Sequence, residues 1–182
     1  MTQGHLVMPN RPGGRPSSGE HPLAAAFTDL RDELIGTLAY LLQSREAALD
    51  AVQEAFLKCW RARDTLPAVR DVRAWIFRVG MNTARDLQRS AWSRRVKPLD
   101  GEELMLTARD DPPGGGLEDR EDLDRLRRAI AGLRREEKEV FLLRQNGELT
   151  YEQIAEVLGI PSGTAKTRMQ SALTKLRAVL GS

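Results

Sequence analysis

Apolar side chains recur along this chain at helical spacing, in blocks set apart by polar or glycine- and proline-bearing stretches. Phe27, Leu30, Leu34, Leu38 and Leu41 fall three or four residues apart and predict a first helix from Pro22 with one apolar face. Ser44 stands where it can cap a second helix, with Leu49, Val52, Phe56 and Trp60 as inward positions. Residues 63–67 break the pattern, and Pro67 disfavours helix before it. A third helix is expected from about Asp71, a suitable N-cap, through Trp75, Ile76, Val79, Thr83 and Leu87 to about Ser90. Further on, Leu123, Leu126, Ile130 and Leu133 mark another helix, and 136–144, with Val140, Phe141 and Leu143, one more. Asn146 and Gly147 should end it, since both tolerate left-handed backbone. No strand-like alternation occurs, so the fold class is all-α.

Between these blocks, 97–117 holds Pro98, Gly101, Pro112, Pro113 and Gly114 to Gly116, and reads as a flexible linker. Residues 1–21 are rich in Gly, Pro, Ser and Arg without apolar periodicity and read as a disordered tail. The organisation is therefore a tail (1–21), a helical domain (22–96), a linker (97–117) and a second helical domain (118–182).

Charge sharpens this division. The net charge is only +2, but 70–97 carries eight basic residues against two acidic ones, 100–124 carries ten acidic against two basic, and 161–182 carries four basic and no acidic residues. Two basic blocks flanking an acidic one suit two surfaces for a polyanion, although solvated helix faces have a similar composition. The one cysteine, Cys59, lies among apolar residues and reads as a small core side chain. No apolar run approaches the roughly 18 residues that span a membrane, and Leu6, Val7 and Met8 are too few for a signal-peptide core. The reading is a cytoplasmic protein without membrane insertion. Both histidines fall in the tail, and there is neither metal-ligand spacing nor a phosphate-binding glycine loop. No catalytic residue, metal or cofactor is expected, and an enzyme is disfavoured.

The segment from Thr150 carries the most specific signal. Thr150 with Gln153 forms a capping box, Ile154 and Leu158 face inward, Ala155 allows close approach, and Gly159 suits a tight turn. Ser162, after Pro161, is expected to cap the next helix, whose inner side is Ala165, Met169, Ala172, Leu173, Leu176 and Leu180. Its other side offers Ser162, Thr164, Lys166, Thr167, Arg168, Gln170 and Ser171 to phosphates and base edges, with Lys175 and Arg177 further along for phosphates. This is a helix-turn-helix, with base contact expected from the early turns of its second helix.

With these motifs in view, the chain from 24 to 180 resembles the extracytoplasmic-function group of bacterial sigma factors. In the carboxy half, 139–144 followed by 149–168 resembles sigma region four, which reads the minus-thirty-five element. In the amino half, 50–60 resembles the region-two helix, and 72–87 resembles the helix that engages the minus-ten element. The resemblance implies that Asp50, Gln53 and Glu54 dock on the clamp helices of the RNA polymerase beta-prime subunit. It implies that Arg78, Asn82, Arg85 and Arg89, a basic stripe avoiding Ile76 and Val79, follow the opened strand. It also implies that the loop 63–70 helps to hold a flipped minus-ten base. Trp75 belongs to the apolar pattern, whereas Trp92 falls outside it. Where the family often has an acidic pair, only Asp50 stands here, and Arg134 replaces a common proline. The expected partners are core RNA polymerase (beta-prime and beta subunits), promoter DNA and, as often in this group, an anti-sigma factor. The alternative is a stand-alone helix-turn-helix regulator, which has no need of the amino-half motifs.

Overall fold

In the computed structural model, residues 21–94 and 117–181 are described. They form seven α-helices: α1 (Pro22–Leu42), α2 (Arg45–Arg61), α3 (Val72–Arg94), α4 (Leu117–Ala131), α5 (Arg135–Gln145), α6 (Tyr151–Leu158) and α7 (Ser162–Leu180). A short 3-10 helix, Arg63–Ala68, joins α2 to α3. The tail and most of the linker expected from composition lie outside the described residues, as does the side chain of Trp92.

α1, α2 and α3 pack on one another around Leu23, Leu34, Leu38, Ile76, Phe77 and Met81, all fully buried. Burying each such side chain stabilises by about 1.5–3 kcal/mol. Ser44 Oγ accepts the Ala47 N–H at 3.1 Å and Asp71 Oδ1 accepts the Ala74 N–H at 2.9 Å, so both expected caps form. α3 runs four residues past the expected end, to Arg94. His21, assigned to the tail by composition, caps α1 by accepting the Leu23 N–H at 3.2 Å, and its ring meets Trp60 edge-on. Cys59 is fully buried, and burial pushes its thiol up to about 12.

The two halves are packed together rather than strung apart. Val140, Leu143, Leu149, Ile154 and Val157 join the same apolar cluster as α1–α3, with α5 against α1 and α6 against α3. Polar bonds cross the seam. Arg73 Nη1 donates to the Gly147 carbonyl at 2.8 Å, and Gln153 Nε2 donates to Asp71 Oδ2. Gln153 thereby closes the capping box of α6 and reaches the cap of α3.

The end of α5 departs from expectation. Asn146 stays right-handed (φ −88°), and the positive φ of 53° falls on Glu148. Gly147 is needed for close approach instead: a Cβ there would lie 2.6 Å from the Leu143 carbonyl oxygen and 3.3 Å from the Phe77 ring. Gly147→Ala is expected to destabilise the fold by about 1–3 kcal/mol, the range for overpacking. Gly163→Ala, with open space around it, should be neutral or mildly stabilising. Urea unfolding of the two variants checks this contrast.

Candidate nucleic-acid interface

The helix-turn-helix is built as its sequence requires. Thr150 Oγ1 accepts the Gln153 N–H at 3.2 Å, and Gln153 Oε1 accepts the Thr150 N–H at 2.6 Å. Gly159 adopts φ 67°, where an L side chain is strained, and Ile160 N–H closes the turn on the Ala155 carbonyl at 3.0 Å. Ile154, Val157, Ala165 and Met169 are buried between the helices. Ser162 is not the cap: Pro161, extended at ψ 146°, takes that position, and Ser162 is the first helical residue. With no side chain capping α7, its first amides keep their donors for an anion.

The α7 residues singled out by sequence divide into two stripes. Lys166, Thr167 and Gln170 are exposed, together with Gly163 and Thr174. Thr164, Arg168, Ser171 and Lys175 are half-buried along one flank, and Ser162 is half-buried at the start of the helix. At the far end of that flank the Ser171 hydroxyl donates to Glu137 at 2.7 Å, and Lys175 Nζ lies 2.8 and 2.7 Å from the two oxygens of the same carboxylate. Glu137 is buried, yet its carboxyl is held down at about 2. Desolvation opposes ionisation, and the donors Lys175, Ser171 and Arg134 outweigh it.

On α3, Arg78, Asn82 and Arg89 are exposed. Arg85 is not free: its Nη2 and Nε donate to the buried Glu139 of α5 at 2.9 and 3.2 Å, and Arg135 shares that carboxylate. The 3-10 segment and the start of α3 line a cavity of about 400 Å³, with Arg70, Trp75 and Arg78 on its walls. Glu156 and Val157 of α6 form part of the lining. Trp75 thus packs on the core, as its periodicity required, and also borders this cavity.

On α2, Asp50 and Gln53 are exposed, and Glu54 is half-exposed with Arg61 at 3.9 Å. Leu57 lies beside them, 44% exposed, next to a cavity of about 390 Å³ that also involves Phe27, Val52 and Phe56. Sequence reading missed Leu57. Its signal was its position, seven, four and three residues after Asp50, Gln53 and Glu54 on their face and off the inward pattern. A wider apolar groove of about 760 Å³ lies between Tyr40, Leu126, Phe141, Leu176 and Leu180. Among the described residues, no group of three or more His, Cys, Asp or Glu could hold a metal ion, and no helix is long and apolar enough to cross a membrane.

Comparison with known proteins covers both halves. The family model Sigma-70 region 2 matches residues 26–94, and Sigma-70, region 4 matches residues 123–176. The chain is 31% identical to the RNA polymerase sigma factor CnrH of Cupriavidus metallidurans over 137 residues, 72% of each chain. It is 26% identical to the RNA polymerase sigma factor SigV of Bacillus subtilis over 158 residues, 87% of this chain and 90% of that one. The fold is similar to that of the sigma factor RpoE in complex with the anti-sigma factor NepR from Bartonella quintana. That likeness has a TM-score of 0.69 at 22% identity and covers 87% of this chain and 96% of that one. It is also similar to CnrH in complex with the cytosolic domain of CnrY, with a TM-score of 0.63 at 23% identity over 87% of each chain.

The Glu137 site gives a pH dependence of defined sign. Its carboxyl lies below the ordinary glutamate value when folded, so the unfolded state binds the proton more tightly. Its stabilising contribution is complete above the ordinary value and is lost as pH falls from there through about 2. In urea unfolding, the difference between the wild type and Glu137→Gln is expected to shrink over that acid window. A difference that stays constant would contradict it.

Proposed function

Taking as premise that this chain belongs to the sigma-70 family, in its extracytoplasmic-function group, and directs transcription initiation, we propose a residue-level division of that work. α2 docks on the clamp helices of the RNA polymerase beta-prime subunit through Asp50, Gln53 and Glu54, with Leu57 adding an apolar contact. The groove beside Leu180 takes the beta subunit. α7 reads the upstream promoter element in duplex form through its early turns, from Ser162 and Thr164 to Lys166, Thr167, Arg168 and Gln170. α3 follows the opened minus-ten strand through Arg78, Asn82, Arg85 and Arg89, with the 3-10 segment and its cavity receiving a flipped base.

The observation that carries this reading is the unequal exposure of the surfaces. The α2 face and the outward side of α7 are open, whereas Arg85 is held by Glu139 and α6 walls the base cavity. Docking and upstream contact therefore need no rearrangement, and strand capture needs the halves to part. Holding both readers on one polymerase raises their effective concentration for each other. The phosphate contacts make promoter binding salt-sensitive. The sigma factors of similar fold are seen with anti-sigma factors, and we propose such a partner for this chain as well. Members of the family are not enzymes, and the reading places the protein in the cytoplasm with its polymerase. A stand-alone regulator is not favoured, because it leaves the region 2 match without a use.

Tagged chain is expected to retain core RNA polymerase in a pull-down, and Asp50→Lys with Glu54→Lys should weaken retention at least about tenfold. Lys166→Glu or Arg168→Glu should abolish upstream recognition while core binding persists. Upstream recognition that survives both reversals would remove α7 from the role, and no complex with core would remove the polymerase reading.

A further inference from the structure

α5 opens on five consecutive charged residues, Arg135 to Glu139, and the last three, Glu137, Lys138 and Glu139, are buried. Glu137, its side chain 4% exposed, is the most heavily bonded of them. Its carboxylate takes Arg134 Nε and Nη2 at 3.2 and 2.8 Å and the Arg134 backbone N–H at 3.1 Å. From α7 it takes the Ser171 hydroxyl and the Lys175 ammonium. Ser171 has one proton to give, and Glu137 has it. Lys175 addresses both oxygens of a desolvated carboxylate, where an ion pair is stronger than one made in water with a DNA phosphate. Turning either side chain toward DNA would leave a buried carboxylate short of partners, which is a large penalty.

The exposed ridge of α7 has another membership. Gly163, Thr167, Gln170 and Thr174 follow one another at four-, three- and four-residue steps, with Lys166 beside them, and all are exposed. Thr167 and Thr174 donate to the Gly163 and Gln170 carbonyls at 3.0 and 2.9 Å, which leaves each hydroxyl oxygen as an acceptor.

We infer that Glu137 is a positioning residue for the upstream-reading helix: it holds Ser171 and Lys175 as struts against α5, and DNA contact falls to the ridge of Lys166, Thr167, Gln170 and Thr174 together with the early-turn residues Ser162, Thr164 and Arg168. The inference rests on the duplex-reading role of α7 proposed above. It removes Ser171 and Lys175 from the contacts that sequence suggested and adds Thr174.

The test uses the full chain and a short random-sequence duplex, with affinity measured across a salt series for the wild type, Lys166→Met, Lys175→Met and Glu137→Gln. Urea unfolding is run in parallel on Glu137→Gln, Lys175→Met and the double variant. Lys166→Met should lower the slope of log affinity against log salt by about 0.9, one phosphate contact, and Lys175→Met should leave the slope unchanged. Glu137→Gln should weaken binding about tenfold at every salt concentration, although it removes a negative charge. A purely electrostatic Glu137 would give the opposite sign. The double variant should unfold no more easily than the weaker single one, and Lys175→Arg should restore both stability and affinity. The inference is overturned if Lys175→Met lowers the slope like Lys166→Met, if Glu137→Gln tightens binding, or if the two substitutions add in urea. An unchanged slope for Lys166→Met would instead sink the duplex-reading role, and the urea cycle still decides the strut.

Discussion

Charge buried at the start of α5 is the constraint on which the arrangement of the second half depends. Glu137, Lys138 and Glu139 are out of water, and each is compensated by a different element. Glu137 takes α7 through Ser171 and Lys175, Lys138 donates to the Ala131 carbonyl at the end of α4 at 2.8 Å, and Glu139 takes Arg85 of α3. Burial lowers the affinity of Lys138 for its proton, so that contact is the one its position can least do without. Buried charges tolerate few partners and few geometries. One turn of helix therefore fixes α4, α7 and the seam with α3 together. Among the described residues no buried side-chain nitrogen or oxygen is left without a partner.

This constraint links packing to function. The carboxylate that holds α5 to α3 does so by occupying Arg85, a residue proposed to follow the opened strand. The compact arrangement and an engaged minus-ten strand thus compete for one guanidinium. The seam's other polar contacts, Arg73 to the Gly147 carbonyl and the Glu148 carboxylate and Gln153 to Asp71, lie at helix ends. They orient the halves and are individually modest, about 0.5–1.5 kcal/mol for a typical hydrogen bond. A polymerase that grips the halves at two places has a seam of this kind to open.

Much of this was legible in the sequence. Apolar periodicity located the helices of the first half, and the local chemistry of Ser44, Asp71, Thr150, Gln153 and Gly159 placed their caps and turns, because those signals act within a few residues. The α2 and α3 stripes were visible for the same reason. What stayed hidden was long-range. Glu137 and Glu139 looked like an ordinary charged helix start, since nothing local shows that α7 and α3 will cover them. The bonds of Ser171 and Lys175 to Glu137 were equally invisible, because composition does not say which flank of a helix meets its neighbour. Gly147 was read for backbone freedom, and its need is space beside Phe77, seventy residues away in sequence. Pro161 displaced Ser162 from the cap by fixing the extended backbone that ends the turn.

A sigma factor built this way makes core RNA polymerase start at promoters read at two points. Transcription of sheared genomic DNA from the source organism by core polymerase, with and without the chain, tests it directly when transcript 5′ ends are sequenced. New start sites are expected that appear only with the chain and share two upstream motifs at a constant separation. The same start sites with and without the chain would contradict it.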